Sequence, residues 1–306
     1  MGARKQVLTR ITKPGHARKG APWLVLFGGA RMISRRSSLI VAAAILLCAA
    51  AAFAYFGQVL NSFRAPAIAG KTTTCRGVAW DGQYLWLNCA YSPNGPYKVY
   101  RCTYRGGSVV SSFNCPFNDP EVSGVSHGIG WSMYGGQGGL DFTVYSPGGV
   151  SLLYRLTYTG SIVRSVWVQA LVPPMYPSSV DYDGTYYWVS HAGVNGPFSK
   201  VYKISSAGVC ISSFQGPYNT NTLSGIARDG NNLWLTYNRG LDVVKVNTTG
   251  SVLATFRKPG DYLYDCAYAN GRLWVVADSQ YICEISASTY PGIVPASLGR
   301  VKASYR

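Results

Sequence analysis

From residue 57 to about residue 290 the chain is a succession of short runs in which apolar and polar residues alternate, separated by glycine-centred breaks. The stretch "GIARDGNNLWLTYN" (225–238) shows the unit: a run, an Asp-Gly pair, and a second run carrying a Trp. Near-copies are "GVAWDGQYLWLNCA" from Gly77, "SVDYDGTYYWVSHA" from Ser179 and "CAYANGRLWVVADS" from Cys266, with a degenerate copy, "GIGWSMYGGQGGLDFTVYS", from Gly128. Alternation with period two predicts strands, and Asp-Gly or Asn-Gly, which tolerate positive φ, predicts tight hairpins between them.

A second pair of runs follows each copy: "KVYRCTYRGGSVVSSF" (98–113), "LYRLTYTGSIVRSV" (153–166), "KVYKISSAGVCISSF" (200–214), "VVKVNTTGSVLATF" (243–256) and, in the last copy, "YICEIS" (281–286). Each unit therefore reads as four antiparallel strands, a to d. The a–b turns are the Asp-Gly and Asn-Gly pairs; the c–d turns lie at Gly107, Gly160, Gly208 and Gly250. Unit starts at 77, 128, 179, 225 and 266 are 51, 51, 46 and 41 residues apart. Four strands per unit at this period is the signature of a propeller blade. The recurrent Trp86, Trp188, Trp234 and Trp274 then fill the wedges between blades rather than forming a ligand cage.

The expected fold is all-β, a β-propeller of five four-stranded blades, with six blades as the alternative. Closure is expected from the N-terminus. "GQVLNSFRAP" (57–66) matches the d strand "GSVLATFRKP" (250–259) but has no a, b or c strand before it. The last unit's own d candidate, "GIVPASL" (292–298), is broken by Pro295. Pairing the early strand with residues 281–286 removes an exposed edge and is expected to bury Val59, Leu60 and Phe63. On these repeats the chain resembles bacterial propellers of the NHL, SMP-30/gluconolactonase and streptogramin-lyase groups over residues 57–290. The resemblance implies a metal-dependent lactonase or lyase activity. Glu121 and Glu284 are the only glutamates, and the acidic metal ligands of those groups have no residue-by-residue match.

Charge changes the picture at one end. The chain has 306 residues and a formal net charge of +16. Residues 1–36 hold nine Lys/Arg and no acid, and from Tyr55 onward the balance is a milder +7, so nucleic acid is not an expected partner. The apolar run "LIVAAAILLCAAAAFAYFG" (39–57) follows the basic segment. "AFA" (52–54) offers cleavage before Tyr55; uncleaved, the run is about long enough to anchor the chain. Both readings stand, as do ordinary and twin-arginine export through "SRRSSLI" (34–40). The organisation is a basic segment (1–36), a signal or transmembrane helix (37–56), the propeller (57–290) and a tail (291–306). The expected location is periplasmic, cell-surface or secreted.

Seven cysteines follow the run, without a C-x-x-C pair. In an exported chain they predict disulfides. Cys75 and Cys89 are equidistant from Gly82 and are expected to pair; Cys102 and Cys115 flank the c–d hairpin and are expected to form a second bridge.

Propeller ligands are expected on the side of the d–a and b–c loops. That side is expected to carry Asp119, Glu121, His127, His191, Asn195, Tyr218, Tyr237, Arg239, Asp242, Asp261, Tyr264, Asp265 and Asp278. Tyr, Asn, Asp and Arg together suit a glycan, a peptide or a cell-surface protein. No cofactor is called for, although His127 and His191, on adjacent units, are candidates for a divalent metal. "GVSHG" (124–128) fits the nucleophile-elbow pattern but opens a β unit, not the strand–turn–helix the chemistry needs. The function expected is a binding or scaffold module outside the cytoplasm. The alternatives are a metal-dependent hydrolase or lyase and a purely structural surface protein.

Overall fold

The computed structural model describes residues 56–67, 73–90, 97–117, 128–134, 136–145, 151–168, 175–193, 199–218, 222–238, 242–257 and 259–288. Everything up to residue 55, including the basic segment, the cleavage point and most of the apolar run, lies outside the described residues, as does the tail with "GIVPASL". No helix among the described residues is long and apolar enough to cross a membrane.

The first strand is β1 (Val59–Arg64). Blade 1 follows with β2 (Thr74–Trp80), β3 (Leu85–Ala90), β4 (Tyr97–Cys102) and β5 (Val109–Asn114), then blade 2 with β6 (Ile129–Tyr134), β7 (Gln137–Tyr145), β8 (Ser151–Leu156) and β9 (Ile162–Trp167). Blade 3 is β10 (Met175–Tyr182), β11 (Tyr186–Gly193), β12 (Lys200–Ser205) and β13 (Cys210–Gln215). Blade 4 is β14 (Leu223–Asp229), β15 (Asn232–Tyr237), β16 (Asp242–Asn247) and β17 (Val252–Arg257). The last three strands are β18 (Leu263–Ala269), β19 (Arg272–Ala277) and β20 (Tyr281–Ser286). Blade 5 has the order β1-β20-β19-β18. The chain is a five-bladed β-propeller closed by its N-terminal strand.

Closure reproduces the other blades in detail. β1 pairs antiparallel with β20, from Val59 opposite Ile285 to Arg64 opposite Tyr281. Its register slips between Val59 and Asn61, and every described c–d pair slips at the corresponding place, as between Lys245 and Val246 in blade 4. Gly57 (φ 81°) takes the part of a c–d turn glycine. It lies so close to Phe256 that a Cβ would come within 2.6 Å of that side chain, just as one on Gly250 would of Phe214. One expectation fails. Val59 and Leu60 are 43% and 37% exposed, and only Phe63 of the three is half-buried. An outermost strand has neighbours on one edge only, so alternation there does not mean burial on one face; β5, β9 and β13 show the same exposed pattern.

The Asp-Gly turns do more than reverse the chain. Asp81 accepts hydrogen bonds from the N–H groups of Gln83 and Tyr84 and, at 2.8 Å, from the Trp86 indole. Asp183 does the same for Thr185, Tyr186 and Trp188. The turn residue thus holds the Trp, which packs into the next blade: Trp86 with Ile129, Leu140 and Phe142, and Trp234 with Leu263, Cys266 and Leu273. Opposite each of these Trp residues on strand c stands Arg101, Lys203 or Lys245, whose cation lies over the indole at 5.3–5.4 Å. Blade 2 keeps the cation and replaces the Trp by Asp141, paired with Arg155 at 3.2 Å and bonded by the Ser132 hydroxyl.

All seven described cysteines are free thiols. Cys75 and Cys89 stand directly opposite each other, as the hairpin symmetry requires, but carry no disulfide. The second expected bridge is excluded by register. Cys102 lies opposite Val109, whereas Cys115 bonds back to Tyr97 at the far end of β4. Five residues of strand separate the two sites, roughly 17 Å, well beyond the ~7 Å limit for a disulfide.

Candidate ligand-binding site

The five a strands (β2, β6, β10, β14 and β18) line the propeller axis, and their sequences stack into layers. The residues preceding Val78, Ile129, Val180, Ile226 and Cys266 are Gly77, Gly128, Ser179, Gly225 and Asp265. Four are small because backbones converge there: a Cβ on Gly128 would overlap Ser179, and one on Gly225 would lie 2.7 Å from the Asp265 Cα. Asp265 fills the space they leave. It is fully buried. Its Oδ2 accepts the N–H groups of Val78 (3.0 Å) and Ile129 (3.1 Å), and its Oδ1 accepts the Ser179 hydroxyl (2.6 Å) and the N–H of Cys266 (2.9 Å). One carboxylate therefore ties blade 5 to blades 1, 2 and 3. Burial pushes its pKa well above the usual carboxylate range, against the lowering effect of those four donors.

Below this plug is the apolar layer of Val78, Ile129, Val180, Ile226 and Cys266, all buried. The next layer holds Ala79, Gly130, Asp181, Ala227 and Ala267, again small residues and one aspartate. The last holds Trp80, Trp131, Tyr182, Arg228 and Tyr268. From the plug downward the axis opens as a cup of about 370 Å³ toward the side of the a–b turns. Its wall includes Asp181, and its mouth is four aromatic rings and one arginine. The rings are held from behind: Trp80 stacks on Trp274 at 4.8 Å, and the Trp131 indole donates to the Tyr158 hydroxyl at 2.7 Å. A cup of this size with a few fixed polar groups in an apolar wall suits a small organic ligand.

Asp181 is bonded less completely than Asp265. Its Oδ2 accepts the N–H of Arg228 at 2.7 Å and its Oδ1 that of Tyr182 at 2.8 Å. Burial raises its pKa to about 6, against those two bonds and the Arg228 charge. The Arg228 guanidinium itself donates to the carbonyl of Tyr182 at 3.4 Å.

The residues expected on the d–a and b–c loop side divide into three groups. Asp119, Glu121, His127, Asn195 and Arg239 lie outside the described residues. Tyr218, Tyr237 and Asp242 come together: the Tyr218 hydroxyl donates to Asp242 at 3.1 Å, and its ring meets Tyr237 edge-on. Asp278 (φ 50°) caps its loop by accepting the N–H groups of Asp261 and Tyr262, and Arg76 lies over the Tyr264 ring at 5.7 Å. His191 is buried, edge-on to Tyr202. Asp265 is the plug, with its carboxylate committed to the axis. Among the described residues no group of three or more His, Cys, Asp or Glu is arranged to hold a metal.

The cup is walled mainly by residues of the a strands, away from the loops on which ligand contacts are expected. Its signal was present in the aligned repeats, where an acid stands at positions that the other copies give to Gly, Ser or Ala.

No protein-family model matches the chain, and no curated protein matches its sequence. Solved structures do. Glutaminyl cyclase from Myxococcus xanthus superposes with a TM-score of 0.51 at 8% identity, over 76% of this chain and 97% of that one. Regucalcin, a calcium-binding protein from Agrobacterium tumefaciens, gives 0.44 at 14% identity, over 78% and 97%. Virginiamycin B lyase from Staphylococcus aureus gives 0.38 at 17% identity, over 76% and 88%. The likeness is one of fold.

Proposed function

We propose that the protein is an exported ligand-binding propeller whose site is the axial cup on the side of the a–b turns. Export rests on the apolar run at residues 39–57 behind its basic segment. The observation that carries binding is the contrast along one axis. The same five strands are sealed at Asp265 and, one apolar layer on, leave a cavity walled by Asp181 and rimmed by aromatic rings. Packing alone gives no reason for the second arrangement. A binding role needs no further group, whereas the described residues supply neither a metal cluster nor a nucleophile–base pair at the cup.

The test is a saturation-transfer NMR screen of amines, amino acids and sugars against the full chain. Binders are expected, and Ala269→Trp, which adds an indole at the mouth, should abolish them. Hits that bind this variant as well as they bind the parent protein would overturn the reading, as would a screen without hits.

A further inference from the structure

We infer that the cup selects an organic cation, with its ammonium group against the Asp181 carboxylate and its hydrocarbon body among Trp80, Trp131, Tyr182 and Tyr268. This rests on the cup being the ligand site and adds the chemical class. The argument is one of unused acceptor capacity. A carboxylate offers about four acceptor positions. Asp265 fills four, from three N–H groups and a hydroxyl. Asp181 fills two, both with backbone N–H groups that are already in place.

The charged and titratable groups around Asp181 leave that position open to a cation. Arg228, on β14, is the nearest positive group, and its guanidinium is directed to the Tyr182 carbonyl. No salt bridge links Asp181 to a basic side chain among the described residues. Asp183, beyond the mouth on the same blade, is engaged by the N–H groups of Thr185 and Tyr186 and by the Trp188 indole. Asp141, in blade 2, is paired with Arg155. On β18 the Cys266 thiol is kept neutral by burial and Asp265 is committed to the plug. Asp181 is thus a half-buried carboxylate without a salt-bridge partner among the described residues, lining a cavity.

The mouth completes the match. Electron-rich rings attract ammonium groups, most strongly where water is excluded, and a carboxylate in the wall supplies the full charge. An anion would meet the same carboxylate unfavourably. A neutral polyol would hydrogen-bond to it but gain no ion pair. The inference also fixes a direction with pH. Asp181 must be ionised to hold the cation, and its pKa lies near 6 in the free protein. A ligand that stays cationic throughout should therefore bind about tenfold more weakly at pH 5 than at pH 7.5.

Calorimetric titration of the full chain with benzylammonium, benzyl alcohol and benzoate tests this. Benzylammonium is expected to bind at pH 7.5, to weaken about tenfold at pH 5 and to be lost in Asp181→Asn, with benzyl alcohol weaker by at least tenfold and benzoate not binding. The pH comparison uses the unaltered protein, so it stands even if the variant folds poorly. Equal binding of benzyl alcohol and benzylammonium, unchanged between the two pH values and blocked by Ala269→Trp, overturns the cation inference and leaves the cup as a ligand site. No binding by benzylammonium at millimolar concentration also overturns the inference, while the cup then stands or falls by the NMR screen.

Discussion

Asp265 and Asp181 lie on the same axis, two layers apart, each the sole acid in a ring of small residues. One is fully enclosed, with four hydrogen bonds, three of them from other strands. The other has two backbone bonds and faces a cavity. The sequence change is of the same kind in both cases, an acid in place of Gly, Ser or Ala. What differs is whether the neighbouring strands come close enough to satisfy the group. At the plug, Gly128 and Gly225 allow the backbones to close around the carboxylate. At the cup, Trp80, Trp131 and Tyr268 at the next position line the cavity, and the axis stays open. A buried charge is costly unless fully paired. Full pairing marks Asp265 as a structural lock, and partial pairing marks Asp181 as a group kept for something else.

The coarsest way to erase the contrast is to open the ring. Deleting residues 57–63 removes the β1 ladder with β20 and the packing of Phe63. The loss is on the order of 5 kcal/mol, from several ladder bonds and one half-buried aromatic ring. Thermal unfolding should fall by about 10–20 °C, and exposure of β20 as an edge should promote aggregation. A truncated chain that melts like the parent would show that closure contributes little. Asp265→Ala keeps the ring but strands three N–H groups and the Ser179 hydroxyl inside it. At about 1–3 kcal/mol for each unsatisfied group, partly relieved by relaxation, roughly 4 kcal/mol should be lost in urea unfolding.

Asp141 sharpens the comparison, being a buried carboxylate with a charged partner of its own. Asp141→Ala leaves the Arg155 guanidinium buried, with the Ser132 hydroxyl and the carbonyls of Ser132 and Gln137 as its remaining hydrogen-bond partners. Stability should drop by about 3 kcal/mol, and the double change Asp141→Leu with Arg155→Met should recover most of it, because replacing both members of a buried pair is far milder than removing one. If the double variant is as unstable as the single, the pair is not the reason for the loss.

Much of this architecture was written in the repeat. The Asp-Gly turns, the interblade Trp residues and the orphan strand at residue 57 each imply one local geometry, and all occur where that geometry was expected. The axis was harder to read, since its layers are assembled from five segments some forty to fifty residues apart, and only superposition of the units reveals Asp181 and Asp265 as outliers. Two other expectations failed for local reasons. Cys102 and Cys115 flank the c–d hairpin and are expected to pair, but the hairpin register sets Cys102 against Val109. Alternation in β1 implied a buried face that an outermost strand does not have. Asp278, expected as a ligand contact, caps its own loop, a local role that residue type alone does not separate from binding.

The smallest expected effect bears most directly on Asp181. Its pKa is about 6 in the folded protein against 3.8 for an ordinary aspartate, and burial is the main cause. A carboxyl group whose folded pKa is raised contributes its stability in full below the unfolded value and loses it as pH rises through the folded one. Ionised Asp181 is therefore a burden on the unliganded fold above pH 6. Asp141, raised to about 7, acts in the same direction, while Asp183, lowered by its N–H and indole donors despite burial, acts in the opposite direction at lower pH. Comparing Asp181→Asn with the parent protein at two pH values cancels those other groups. Between pH 5 and pH 7.5 the variant should gain on the parent by about 1 kcal/mol, or roughly 2–4 °C in Tm. Parallel melting of the two proteins at both pH values would mean that the fold compensates the ionised Asp181 in full, and the case for a cation in the cup would lose its support. A relative gain at high pH has the opposite meaning: the free protein carries an ionised group that its own fold does not compensate, and a cation in the cup is what would compensate it.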